Sequence, residues 1–136
     1  MKRTISIALI ALIFSACADK KAQEKAVLDS VMQIHDKVMG ADEQLMKNKM
    51  LLDSVGKINL VKEVKDSVFM YLSKINVTDN AMGDWMHKFD PDHTGKSHEE
   101  TMTYLQDQKK QIMEIDSQLN SVVKSSGKYL STIKMK

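Results

Sequence analysis

Methionine and histidine side chains recur on one face of the first predicted helix, in a pattern that suits a soft metal ion. The face consists of Met32, His35 and Met39, at positions i, i+3 and i+7. A second group follows later in the chain: Met82, Met86 and His87. Thioether sulfur and imidazole nitrogen are ligands that copper(I) prefers. Methionines at helical spacing more commonly fill a core, so we predict no metal site and no cofactor, with periplasmic copper binding as the alternative.

The segment 90–96 is the clearest loop in the sequence and partly matches a calcium-binding loop. Positions 1, 3, 5 and 6 of an EF-hand loop are matched by Asp90, Asp92, Thr94 and Gly95. The match then fails, because Thr101 stands where the bidentate glutamate is expected. A turn followed by a capping box of Ser97 and Glu100 explains the same residues without an ion. Calcium binding at this loop is therefore also kept only as an alternative.

Recognisable catalytic patterns are missing from the sequence. It contains no Glu-x-x-His pair of a di-iron bundle, no glycine-rich phosphate loop and no Gly-x-Ser-x-Gly nucleophile elbow. Every basic residue after Arg3 is lysine, so the planar guanidinium fork that reads phosphate is lacking. We predict that the protein is not an enzyme and has no catalytic residue.

Apolar residues repeat every three or four positions in three long stretches, which predicts three helices. The first stretch contains Val27, Val31, Ile34, Val38, Ala41, Leu45, Leu52 and Val55. It predicts a helix that ends at Gly56, with Gly40 as a candidate kink. The second stretch contains Val61, Val64, Val68, Tyr71, Ile75, Thr78, Met82, Trp85 and Phe89. It predicts one helix that ends before Pro91, with a break at 77–80 as the alternative.

The third stretch has a regular heptad pattern and is predicted to be helical from about His98 to Thr132. Its seven-residue repeat consists of Leu105, Ile112, Leu119, Ser126 and Ile133, and Ile115, Val122 and Tyr129 follow three residues behind. Three long helices with short connections predict an all-α fold, an elongated antiparallel three-helix bundle with coiled-coil-type packing, over residues 26–136.

The N-terminal residues have the layout of a secretory signal. Lys2 and Arg3 precede an apolar run at 5–14, which is too short to span a bilayer. Residues 14–17, Phe-Ser-Ala-Cys, resemble the lipobox of bacterial lipoproteins. We predict that residues 1–16 are a cleaved signal peptide, that Cys17 is the lipid attachment site carrying acyl chains such as palmitate, and that 17–25 form a flexible tether. Cleavage by ordinary signal peptidase near Cys17, which would release a soluble protein, is the alternative.

Cleavage at this point also removes the apparent basic character of the chain. Loss of Lys2 and Arg3 reduces the 20 basic residues to 18, which equals the 18 acidic ones. A neutral chain gives no reason to expect nucleic-acid binding. The single cysteine excludes an internal disulfide framework, so packing must stabilise the fold.

Two segments resemble a known group of proteins. Residues 31–39 read Val-Met-Gln-Ile-His-Asp-Lys-Val-Met, and residues 81–89 read Ala-Met-Gly-Asp-Trp-Met-His-Lys-Phe. With the lipobox and the terminal heptad helix, they resemble small lipoproteins of Bacteroidota commonly labelled "viral A-type inclusion protein". The resemblance implies a helical protein anchored in the cell envelope, in the outer membrane, and it carries no established activity or functional residue. Ala18, rather than Asp, after the cysteine also lacks the inner-membrane retention signal known from enterobacteria.

These inferences together predict a lipid-anchored envelope protein that acts as a structural or interaction module. Its expected partners are the membrane, through Cys17, and another protein or a second copy, through helix faces. The expected docking patch is an apolar band, to the extent that it is exposed. The band consists of Tyr71, Leu72, Trp85, Met86 and Phe89.

Overall fold

The chain folds into three helices. The computed structural model describes the backbone of residues 2–58 and 61–134, and the side chains of 19–58 and 61–133. The helices are α1 (Lys2–Gly56), α2 (Lys62–Lys88) and α3 (His98–Lys134), and the described residues include no strand. All three pack against one another, with the most extensive interface between α1 and α3. The predicted all-α three-helix bundle is confirmed.

Contacts between side chains define the directions of the helices. Three pairs join α1 to α3: Glu24 with His98, Lys37 with Asp116, and Asn48 with Ser126. The residue numbers of both partners increase from one pair to the next, so α1 and α3 run parallel to each other. The intervening α2 runs antiparallel to both, which is the expected result of two short connections.

The core consists of aliphatic layers that repeat every seven residues on each helix. The layers comprise Val31, Val38, Leu45 and Leu52 on α1; Val68, Ile75 and Met82 on α2; and Leu105, Ile112 and Leu119 on α3, all at most 4% exposed. A seven-residue repeat on every helix keeps one face of each turned to the bundle axis. This regularity explains why the helices could be predicted from sequence.

The ends of the helices follow their local sequence. The predicted end of α1 at Gly56 is confirmed, and Gly40 does not interrupt this helix. The alternative break at 77–80 does not occur, because Thr78 is fully buried and its hydroxyl donates to the Lys74 carbonyl at 3.0 Å. The predicted start of α3 near His98 is confirmed as well.

The predicted flexible tether at 17–25 has a different conformation in the structure, because this segment belongs to α1. Its alanine, lysine, glutamine and glutamate residues are good helix formers. Two side-chain bonds across one turn add to this preference, Gln23 to Asp19 at 3.1 Å and Lys25 to Asp29 at 2.6 Å. The segment therefore continues the bundle helix; the side chain of Cys17 lies outside the described ones.

Candidate functional site

The six side chains considered as copper ligands do not share one environment. Met82 is 4% exposed and belongs to the core, whereas Met32, Met39 and Met86 are 39–47% exposed. His87 is also exposed. The methionines of the two predicted groups are thus divided between the bundle interior and its surface, and their burial does not define a single ligand set.

His35 lies between α1 and α2, where it contacts an aromatic ring. Its ring centroid is 5.9 Å from that of Trp85, and its Nδ1 atom is 3.2 Å from Oδ1 of the neighbouring Asp36. The His35 side chain is 19% exposed, and Trp85 is 4% exposed. Imidazole packed on indole beside a carboxylate is an ordinary arrangement at a helix interface.

The loop at 90–96 is held together by hydrogen bonds to its own carboxylates. The Asp90 carboxylate accepts from the Asp92 backbone N–H at 2.9 Å, and the Asp92 carboxylate accepts from both the N–H and the hydroxyl of Thr94 at 2.9 and 2.6 Å. The hydroxyl bond from Thr94 is the main cause that lowers the pKa of Asp92. Gly95 has a φ of 85°, which an L side chain rarely adopts. In this turn the Oδ1 atom of each carboxylate thus already has a partner.

The predicted capping box is confirmed at the start of α3. The Ser97 backbone N–H and hydroxyl donate to Oε2 of Glu100 at 2.8 and 2.7 Å, and the Glu100 N–H donates to the Ser97 hydroxyl at 3.3 Å. These bonds lower the pKa of Glu100, the side-chain bond from Ser97 most strongly. Thr101, at the position of the missing calcium ligand, is 1% exposed and is part of the interior.

Aromatic side chains attach the same loop to the bundle. Phe89 stacks on Trp85 with ring centroids 4.8 Å apart, and Tyr104 follows at 6.4 Å from Phe89. The Tyr104 hydroxyl accepts from the Asp90 N–H at 2.8 Å, and Lys96 Nζ lies 5.1 Å from the Tyr104 ring. Two members of the predicted docking band, Trp85 and Phe89, therefore hold the loop in place. Among the residues whose side chains are described, no group of three or more His, Cys, Asp or Glu could hold a metal ion.

Three polar features were not predicted from the sequence, because each depends on how the helices align. Asn48 is 3% exposed, and its amide donates to Ser126 Oγ at 2.9 Å and to the Val123 carbonyl at 3.0 Å. Asp42 has a buried oxygen without a hydrogen-bond partner among the described residues, and burial, followed by the charge of Asp79, raises its pKa. The third feature is a hydrogen-bond contact between His98 Nδ1 and Glu24 Oε1 at 2.7 Å.

Large apolar side chains also remain exposed on the helices. The most exposed are Phe69 at 74%, Met50 at 70%, Val61 at 66% and Ile58 at 63%. Of the predicted docking band, Trp85 is buried, Tyr71, Leu72 and Phe89 are partly buried, and only Met86 is exposed. Tyr71 stacks on Tyr129 of α3 at 4.8 Å. The exposed apolar surface of the described chain therefore lies mostly outside the band that sequence indicated.

None of the described helices is both long enough and apolar enough to cross a membrane. No protein-family model matches this chain, and no curated protein and no solved structure matches it significantly.

Proposed function

We propose that this protein is a lipid-anchored, non-enzymatic helical bundle of the bacterial envelope that acts as a structural or interaction module. In this proposal residues 1–16 are a cleaved signal peptide, and Cys17 carries the acyl chains that fix the protein in the outer membrane. The resemblance to small lipoproteins of Bacteroidota belongs to the same proposal.

The observation that carries the proposal is the attachment of the segment after Cys17 to the rest of the bundle. Glu24 is seven residues beyond Cys17, and its carboxylate is 2.7 Å from His98 at the start of α3. A lipid anchor at Cys17 would therefore be attached to a helix that is packed in the bundle, rather than to an unstructured segment. This arrangement supports a role in which the protein holds its helical surface at a defined distance from a membrane.

The exposed apolar side chains support the interaction role. The protein has an extensive aliphatic core, yet four large apolar side chains outside it are each more than half exposed: Phe69, Met50, Val61 and Ile58. Exposed aromatic and methionine side chains are common on surfaces that bind partners. We propose the interaction role rather than copper or calcium binding, because the methionines of the copper alternative are divided between core and surface and one oxygen of each loop carboxylate already has a partner.

Intact mass spectrometry of the full chain, expressed in a Gram-negative host and extracted from its membranes, tests the anchor. We expect loss of residues 1–16 together with the mass of a diacylglyceryl group and a third acyl chain on Cys17. The matched variant Cys17→Ser should keep the precursor mass. An unacylated mature chain in the soluble fraction would refute lipid anchoring and support the ordinary signal-peptidase alternative.

A further inference from the structure

Cross-helix contacts divide the bundle into two ends. At one level Asn48 of α1 contacts Ser126 of α3, and further along the Tyr129 hydroxyl donates to the Val64 carbonyl of α2 at 3.2 Å. We define the basic end as residues 45–58, 61–76 and 122–134. The acidic end is defined as residues 19–44 and 77–121, which include the Glu24–His98 pair and the loop at 90–96.

The charges of the chain are strongly segregated between these ends. The basic end contains nine lysines and three acidic residues, whereas the acidic end contains eight lysines and fifteen acidic residues. The third helix shows the same separation, since no acidic residue follows Asp116. The two ends therefore carry net charges of +6 and −7, although the chain from Cys17 onward is neutral once Lys136, outside both ends, is counted.

Exposed apolar side chains coincide with the basic end. The four most exposed large apolar side chains of the described residues, Phe69, Met50, Val61 and Ile58, all belong to it. Ile58 and Val61 stand on either side of the α1–α2 connection, directly between Lys57 and Lys62. Exposed aliphatic side chains thus flank this connection with a lysine next to each, and the Nζ atom of Lys62, whose side chain is 82% exposed, also lies 2.6 Å from the Asp66 carboxylate.

Exposed apolar side chains with lysines beside them match the chemistry of a lipid–water interface. Aliphatic side chains gain free energy by entering the boundary of the acyl chains, and lysines around them pair with phosphate headgroups. Lysine is suited to a fluid surface, because its single charge on a flexible stem demands no fixed geometry. The N–H groups of the first turn of α2 add positive partial charge at the same place, where Val61 makes no side-chain cap hydrogen bond and Glu63 is the acidic residue of the turn.

We propose that the basic end binds an anionic lipid surface, with Ile58 and Val61 entering the interface and Lys57 and Lys62 pairing with headgroups. The inference rests on the proposed function in one respect, namely that Cys17 anchors the opposite end. The α1 residues from 17 to 56 span about 60 Å at 1.5 Å per residue. A chain held at both ends would bridge two membranes, or two regions of one curved membrane.

The test uses residues 17–136, the chain expected after cleavage and therefore free of the basic and apolar signal segment, with Cys17→Ser and one introduced cysteine that carries an environment-sensitive fluorophore. Ser54→Cys reports on the basic end, and Thr103→Cys is the matched reporter at the acidic end; both positions are exposed. The probes are vesicles of phosphatidylcholine alone and vesicles that also contain phosphatidylglycerol. We expect a blue shift at position 54 with the anionic vesicles only, and its reversal as salt is raised.

Charge-neutralising variants test whether the named lysines carry the binding. Lys57→Gln combined with Lys62→Gln should weaken anionic-vesicle binding at the position 54 reporter about 25-fold, since each lysine near such a surface contributes about fivefold. The matched control is Lys109→Gln with Lys110→Gln at the acidic end, which makes the same change in net charge and should leave binding within about twofold. Ile58→Ser should reduce the blue shift, whereas Met113→Ser, at a 53% exposed position elsewhere, should not.

Three results would overturn the proposal. These are the lack of a shift at position 54 with anionic vesicles, equal weakening by both lysine pairs, and a shift that requires protein concentration but no vesicles. The last would identify the acidic end of a second copy as the occupant. Failure of the proposed function is seen separately, because the mass of Cys17 reports the anchor and the vesicle assay uses a chain without it.

Discussion

Replacement of Asn48 by alanine should destabilise the bundle by about 2 kcal/mol. The Asn48 amide donates two hydrogen bonds to α3, and each contributes about 1 kcal/mol net to stability. The small void left behind adds to the cost, while the higher helix propensity of alanine offsets part of it. The groups on α3 that Asn48 contacts add little to this cost, because the Ser126 hydroxyl still donates to the Val122 carbonyl at 2.6 Å. At about 4 °C per kcal/mol for a chain of this size, the Tm should fall by about 8 °C.

Thermal and urea unfolding followed by circular dichroism measure this change. The matched control is Asn76→Ala, the same substitution at an exposed position of α2, which should change stability by less than about 0.5 kcal/mol. A double-mutant cycle with Ser126→Ala should give a coupling energy of about 1 kcal/mol. If the two single substitutions were additive within about 0.3 kcal/mol, the hydrogen bond would not contribute as argued.

The same position also governs the alignment of α1 with α3. The aliphatic layers recur every seven residues on both helices, so a slip of seven residues, about 10 Å, would restore most of their contacts. That slip places Asn48 opposite Leu119 and removes both acceptors on α3 from its side-chain NH₂ group, which leaves only the bond that Asn48 accepts from Gln44 of the same helix. Asn48→Leu should therefore keep or raise stability, yet broaden the distance distribution between spin labels on α1 and α3. A single unchanged distance would mean that other contacts fix the register.

Three further predictions concern carboxylates and the cap. Burial and Asp79 raise the pKa of Asp42 above its ordinary 3.8. Between pH 3.8 and the raised pKa the folded protein keeps a proton that the unfolded chain has lost, so stability falls as pH rises through this interval. Asp42→Asn should therefore be more stable than the parent at neutral pH in urea titrations, and the two proteins should converge in stability below pH 3.8. Ser97→Ala should cost about 1 kcal/mol by removing the capping box, measured by thermal unfolding, and an unchanged Tm would contradict this role. His98→Ala should speed hydrogen exchange in residues 19–25 more than in α2, and uniform exchange across the chain would show that the Glu24 contact does not hold that segment.

Patterns within one helix could be predicted from sequence, whereas features that depend on two helices could not. The seven-residue repeat through Leu105, Ile112 and Leu119 gave α3, and the local spacing of Ser97 and Glu100 gave its cap. These signals are local, because periodicity and caps involve residues a few positions apart.

Features that join distant parts of the chain were missed for the same reason. Periodicity puts Met82 on an apolar face, but the position of the neighbouring helices decides that it is buried while Met86 is exposed. The pair of Asp42 and Asp79 requires the register of α1 against α2. Residues 17–25 were predicted to be flexible from their polarity, although their helix propensity and the contact of Glu24 with α3 make them continuous with the bundle.

The unbroken course of α1 determines how the protein would carry a mechanical load. If Cys17 and Ile58, two residues beyond the end of α1 at Gly56, were both held, the load between them would be applied along α1. The force would then act along the hydrogen bonds within α1, which are parallel to the helix axis. The aliphatic layers between the helices would oppose this force only when α1 begins to stretch. α2 and α3 would stiffen α1 by packing along its length. Their aliphatic contacts with α1 would raise the force at which it uncoils, without transmitting the load themselves.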